Sequence, residues 1–332
     1  ALLLAAGMIA QTALSTGGVV QVQAAEDTYV KTDELTDNDT AAPKKDSVIP
    51  SKNQYEYQKQ ELAAFCHFGM NTYTGSEWGN GKENPNQFQL TNDFDEETYV
   101  KAIHDAGFKK LIITAKHHDG FCIWPSEMTT HDTETAGYEG DVLEELSRAC
   151  TKYNIDMGLY LSPWDVNSEY YGYKDKDGKK LVGADGQPLN GKTWDQVKQE
   201  DALDYNEYYD NQLKEILGND KYGNNGHFKE VWMDGAKDTN DKSNAQDYDF
   251  QRWFKTIQQY EGKASGKYED DCLLFGAESY TTVRWIGNER GYAAEETWAK
   301  STIDRENNTI NSNSRDGYTK GFPNGNQWTV PE

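Results

Sequence analysis

The stretch Glu230-Val-Trp-Met-Asp-Gly-Ala236 decides how this chain is read: a short apolar run closes on an acid, Asp234, and a glycine follows at once. A run this short, bounded by a turn dipeptide, predicts a buried strand at 230–234 that ends in a carboxylate. The next apolar run, at 272–276, is followed by Val283-Arg-Trp-Ile-Gly-Asn-Glu289, which places a second acid beyond it. Acids at the ends of successive parallel strands are how a barrel enzyme aims two carboxylates at one bond.

Working outward, apolar runs at 62–67, 110–115, 156–161 and 292–296 predict further strands. Helical periodicity fits 95–106, 141–153, 201–217 and 247–260, and Asp95 and Asp141 suit the N-termini of the first two. Alternating strands and helices predict an α/β chain with parallel strands, a (β/α)8-type TIM barrel over residues 51–332. Six strands fall short of the eight that close a barrel, so the expected catalytic domain is truncated before its last strands. The Gly-, Lys- and Asp-rich stretch 170–194 is expected to be a surface loop on the third unit.

A chain of 332 residues has room for a single barrel domain of about 250 residues. With 33 basic and 56 acidic residues its net charge is -23, which disfavours nucleic acid and anionic membrane as partners. Leu2 to Leu14 is mostly apolar but too short to span a bilayer, and small residues at Val22, Ala24 and Ala25 precede Glu26 and Asp27. Residues 1–25 therefore read as an N-terminally clipped secretory signal, with a buried helix as the alternative, and 26–50 as a disordered acidic linker. A secreted or cell-surface protein is expected. Cys66, Cys122, Cys150 and Cys272 show neither CxxC pairs nor metal-ligand spacing, and the apolar contexts of three of them make buried thiols the expected state.

Polar residues gather where the strands should end: His67; His117, His118 and Asp119; Tyr160, Trp164 and Asp165; Asp234; Glu278 and Glu289. Any one of them can be a cap or loop group, but five successive units ending this way suggest a built site. Neutral histidine both donates and accepts, which suits a polyhydroxylated ligand, and the 12% aromatic content supplies faces for sugar rings as well as core. Glycoside hydrolysis through an oxocarbenium-like transition state needs a carboxylate at the anomeric carbon and an acid for the leaving oxygen. Asp234 and Glu289 can supply them, if they stand about 5 to 5.5 Å apart for a retaining reaction.

Other readings stay open at this point. Asp234-Gly235 can be a plain turn, and Glu289 a surface carboxylate paired with Arg284 or Arg290. A metal-dependent hydrolase would recruit His67, His117, His118 and Asp234. Adjacent strand residues face opposite ways, so both central histidines reach one ion only if their strand has already ended. A non-catalytic sugar-binding module would keep the aromatics and histidines without needing the carboxylate pair.

The segments His67-Phe-Gly69, YTGSEWGNG at 73–81, AKHHDGF at 115–121, GLYLSPWD at 158–165, VWMDGA at 231–236 and VRWIGNE at 283–289 are similar, in order and spacing, to the alpha-L-fucosidases of glycoside hydrolase family 29. The resemblance runs from about residue 61 to residue 328 and is closest to the subgroup favouring alpha-1,3 and alpha-1,4 linked fucose. It implies a retaining fucosidase without metal or cofactor, acting on fucosylated oligosaccharides or glycoconjugates. It further implies Asp234 as nucleophile and Glu289 as acid/base, with Glu278 in contention because 262–271 lengthens the intervening segment. His67, Glu77, Trp78, His117, His118 and Tyr160 match fucose-binding positions, and Trp285 falls in a segment that lines the site.

Overall fold

The computed structural model describes residues 48–332 apart from 92–93, 184–185, 236–245, 263–271, 287–292, 296, 313 and 316–317. The expected signal segment, all but the last residues of the expected linker, and Glu289 lie outside the described residues. Residues 48–332 form one compact unit.

Helix α1 (Lys52–Gln60) starts from a reciprocal cap, in which Ser51 Oγ accepts from Gln54 N and Gln54 Oε1 accepts from Ser51 N. Then come β1 (Ala63–Cys66), the short α2 (Met70–Thr74), α3 (Glu96–Asp105), β2 (Lys110–Lys116), α4 (Val142–Lys152) and β3 (Asp156–Leu161). They are followed by α5 (Trp194–Glu200), α6 (Tyr205–Leu217), β4 (Glu230–Trp232), α7 (Phe250–Glu261), β5 (Leu273–Phe275) and β6 (Val283–Arg284). Asp95, Asp141, Asp204 and Asp249 cap α3, α4, α6 and α7, each accepting from a backbone amide in the first turn. Each such cap contributes about 1 kcal/mol and sets where its helix begins.

Strands β1 to β6 lie side by side in chain order, all parallel. The chain then makes an excursion through β7 (Lys300–Asp304), β8 (Thr309–Asn311), β9 (Ser314–Arg315), β10 (Tyr318–Thr319) and β11 (Gln327–Trp328). Strands β11, β7 and β8 form an antiparallel sheet and β9 pairs with β10, before β12 (Val330–Pro331) returns to lie parallel beside β6. Among the described residues the main sheet thus has seven strands, β1 to β6 and then β12, one fewer than the eight of a (β/α)8 barrel.

Strand parity builds the two layers of core. Leu111, Ile113 and Ala115 of β2 and Leu159 and Leu161 of β3 pack outward with Leu146, Leu213, Ile216 and Trp253 of the helices. Ile112, Tyr160 and Trp232 turn inward and meet Phe275. Burying each such aliphatic side chain contributes about 1.5 to 3 kcal/mol. At the end of β2 the pairing slips between Thr114 and Lys116, and Lys116 reaches Gln212 Oε1 of α6 at 2.8 Å and Asp165 Oδ2 at 3.1 Å.

The structure corrects three expectations. The sixth strand is not at 292–296, whose described residues 293–295 carry no strand; it is Val283–Arg284, too short to register as an apolar run, and β12 adds a seventh. The helix expected over 201–217 begins at Tyr205, because Asp204 caps it; residues 201–204 are not helical, and α5 ends before them at Glu200. The stretch 170–194 is more than a surface loop: Tyr173, Leu181 and Val182 bury a small core with Val197 of α5.

Candidate active site

The C-terminal ends of the strands surround a cavity of about 1080 Å³, lined by Ala63, Phe65, His67, Asn71, Glu77, Trp78, His117, His118, Trp164, Trp232, Asp234, Gly235, Trp285 and Glu332. Its floor is aromatic. The ring of Trp232 stacks on Phe275 with centroids 3.6 Å apart and meets Phe65 edge-on at 4.9 Å. The lining also takes in Ala63, the first residue of β1, and Glu332, whose Oε1 receives Lys110 Nζ from the start of β2 at 3.0 Å, so the cavity extends down the inner face of the sheet.

Asp234 stands two residues beyond β4, and its side chain is 38% exposed to the cavity. Its Oδ1 accepts from Gly235 N at 2.8 Å and its Oδ2 from the Tyr160 hydroxyl at 2.9 Å. Gly235 has φ +64, and a β-carbon there would sit 2.6 Å from His118 Cε1. Only glycine makes this turn while letting the imidazole lie against it.

Strand β2 ends at Lys116, so His117 and His118 lie past it, and both face the cavity. Ser162 Oγ receives Trp164 N at 3.2 Å and lies 2.9 Å from Trp164 O, 3.1 Å from Asp234 O and 2.7 Å from His118 Nδ1, so one hydroxyl ties the His118 ring to the backbone that carries Asp234. His118 Nε2 lies 3.9 Å from Asp234 Oδ2. Burial, together with His67 and Lys116, pushes His118 down to about 4. Burial, together with His118 and His67, pushes His117 down to about 3. Both are neutral near pH 7. His117 Nδ1 is buried without a hydrogen-bond partner, a polar atom that a hydroxyl-bearing ligand would satisfy.

His67 stacks on Phe65 at 4.6 Å and meets His117 edge-on at 5.6 Å. Trp78 and Trp285 are large exposed side chains on the cavity wall; Trp78 leans edge-on against Trp164 at 5.8 Å, and Trp285 lies 6.4 Å from Trp232. Tyr160, expected to touch a ligand, is fully buried and bonds Asp234 instead of lining the cavity. Burial holds its hydroxyl well above the ordinary tyrosine range, so it remains a donor. Asp165 is likewise a buried partner of Lys116, and Glu278 opens a single 3-10 turn and does not line the cavity. Glu289 lies outside the described residues.

Reading the sequence did not single out Ser162, Asn71 or Trp232. The i, i+2 spacing from Tyr160 to Ser162, and from Trp232 to Asp234, was the available signal, since alternate residues share a face. Among the described residues, no group of three or more His, Cys, Asp or Glu is placed to hold a metal ion. No described helix is long and apolar enough to cross a membrane.

A family model described as alpha-L-fucosidase matches residues 50–283. Alpha-L-fucosidase 1 of Arabidopsis thaliana is 37% identical over 287 residues, 86% of this chain and 47% of the plant protein. Among solved structures, a glycoside hydrolase family 29 fucosidase of Ruminococcus gnavus, in complex with fucose, is 59% identical with a TM-score of 0.77, covering 87% of this chain and 55% of that one. A family 29 member from an unknown rumen bacterium is 29% identical with a TM-score of 0.63, covering 86% and 45%. The chain spans about half the length of these relatives.

Proposed function

This chain belongs to the alpha-L-fucosidase family, and on that premise we propose that it removes terminal alpha-linked L-fucose from glycans, with retention of anomeric configuration. The observation that carries the reading is the setting of Asp234: a strand-end carboxylate, oriented by Tyr160 and Gly235, beside two neutral histidines in a cavity large enough for a sugar.

In the proposed reaction Asp234 attacks the anomeric carbon, forming a glycosyl ester, while an acid protonates the departing oxygen; water then displaces the enzyme with the same acid acting as base. The acid role goes to Glu289 on the resemblance of VRWIGNE. Glu278 is the weaker alternative, because it lies away from the cavity lining. His118 Nε2 and His117 Nδ1 each pair with a sugar hydroxyl, while Glu77 accepts as well. Trp78 and Trp285 offer faces to the sugar and its leaving group. The same resemblance favours alpha-1,3 and alpha-1,4 linkages, and the N-terminal segment a secreted or cell-surface enzyme acting on fucosylated oligosaccharides or glycoconjugates.

The test is turnover of aryl alpha-L-fucosides against aryl galactosides, with NMR of the first-formed anomer. Selective hydrolysis giving alpha-fucose first supports the proposal. Preference for galactosides would overturn the substrate, and beta-fucose first would overturn retention.

A further inference from the structure

Beneath the aromatic floor runs a chain of polar contacts that the proposed chemistry does not use. Trp232 of β4 donates its indole N–H to Glu332 Oε2 at 3.0 Å, just past β12. Glu332 Oε1 receives Lys110 Nζ, from the start of β2, at 3.0 Å, and lies beside the Tyr57 hydroxyl of α1. Lys110 is buried and reaches Glu230 Oε2 as well, at 2.9 Å, with its ammonium 3.4 Å from the centre of the Tyr57 ring. Three elements, α1, β2 and β4, thus converge on one carboxylate.

Stacking alone leaves an indole free to slide or turn over. Trp232 lies 3.6 Å from Phe275 and 5.8 Å from Tyr160, nearly parallel to both, and a ring can keep such contacts in several orientations. A hydrogen bond from Nε1 has a direction, so it selects one of them. The acceptor must itself be held, because a glutamate side chain is flexible, and Lys110 with Tyr57 supplies that hold. Lys110 also offsets the charge of Glu332 and Glu230 where it stands between them.

We propose that Glu332 is a positioning residue for sugar binding: by anchoring Trp232 Nε1 to Lys110 it fixes the orientation of the ring that floors the cavity, two residues before Asp234. Glu332 lines the cavity with its side chain 20% exposed, so its action through Trp232 must be told apart from direct contact with the ligand. This role deepens the fucosidase reading and rests on it for the identity of the sugar.

A double-mutant cycle makes the distinction. Glu332→Leu removes the acceptor at similar volume and leaves Lys110 paired with Glu230, while Trp232→Phe keeps an aromatic ring and removes the N–H. KM and kcat for an aryl fucoside are measured for each variant and for the two combined. The indole N–H resonance of Trp232, identified by its absence in Trp232→Phe, is followed by NMR. Glu332→Leu is expected to raise KM about tenfold, the scale of one hydrogen bond to a charged group, with kcat changed far less, and to shift the indole resonance and speed its exchange. In the Trp232→Phe background the same substitution should leave KM nearly unchanged, because the anchored group is already gone. An equal rise in KM in both backgrounds would mean that Glu332 touches the sugar directly and would overturn the positioning role, as would an unchanged KM in folded Glu332→Leu. Should Glu332→Leu fail to fold, Glu332→Gln is read in the same cycle: Lys110 takes the amide oxygen, which turns the amide N–H groups against the indole, so the same rise in KM and the same coupling are expected. A shifted indole resonance without fucoside turnover would retain the anchor and remove the fucosidase reading.

Discussion

Tyr160 of β3 donates its hydroxyl to Asp234 Oδ2, 2.9 Å away at the end of the neighbouring strand, so the carboxylate is aimed by the strand beside it. The phenol is fully buried and the carboxylate is open to the cavity, which lets one end of the bond stay fixed while the other meets a ligand. In the proposed reaction the Asp234 oxygen loses its charge as it bonds to carbon, and this hydrogen bond would weaken.

Removing the phenol tests how much of that orientation matters. Tyr160→Phe keeps the ring and loses a bond to a charged acceptor, a class that contributes about 1.5 to 3 kcal/mol. We expect kcat/KM for aryl fucosides to fall about 10- to 100-fold, with near-native circular dichroism. An unchanged rate would mean that Gly235 N alone orients the carboxylate.

The two acids should separate by leaving group. Asp234→Ala is expected to abolish turnover of all fucosides, whereas Glu289→Ala should impair natural glycans far more than aryl fucosides with activated leaving groups, which need little protonation. Equal losses on both substrates would remove Glu289 from the acid role, and Glu278→Ala is then the variant to assay.

Gly235→Ala should damage binding as well as stability. The left-handed backbone costs a non-glycine residue about 1 kcal/mol, and the new methyl would enter the space of His118 Cε1. A melting point lower by several degrees and a raised KM are expected. A loss of stability with unchanged KM would show that the imidazole shifts without consequence for the sugar.

Acid should loosen the site through its histidines. Their folded values, about 4 for His118 and about 3 for His117, lie below the ordinary histidine value near 6.5. The neutral forms therefore stabilise the fold above pH 6.5, and this contribution is lost as pH falls from about 6.5 toward 4. Melting points of the unaltered protein should decline across that window, and the decline should be shallower in His117→Gln, His118→Gln. Parallel curves would assign the acid sensitivity to other groups.

Much of this molecule can be read from local chemistry. The apolar runs at 110–115 and 156–161 become β2 and β3 because runs of this length are short for a helix and suit a strand buried on both faces. Asp95 and Asp141 become caps because a short carboxylate satisfies the first free amides of a helix. Val283–Arg284 escaped notice because two residues carry no period; its pairing with Phe275 and Val330 comes from distant parts of the chain.

The sequence by itself determined the element types and the family, and it marked Asp234, His67, His117 and His118, because strand ends and motif spacing are properties of neighbouring residues. Only the tertiary structure decided that Tyr160 serves Asp234 instead of lining the cavity, and that Ser162 reaches both His118 Nδ1 and Asp234 O. Those relationships join residues separated along the chain but adjacent across strands, and no local pattern encodes which side chain will arrive opposite which.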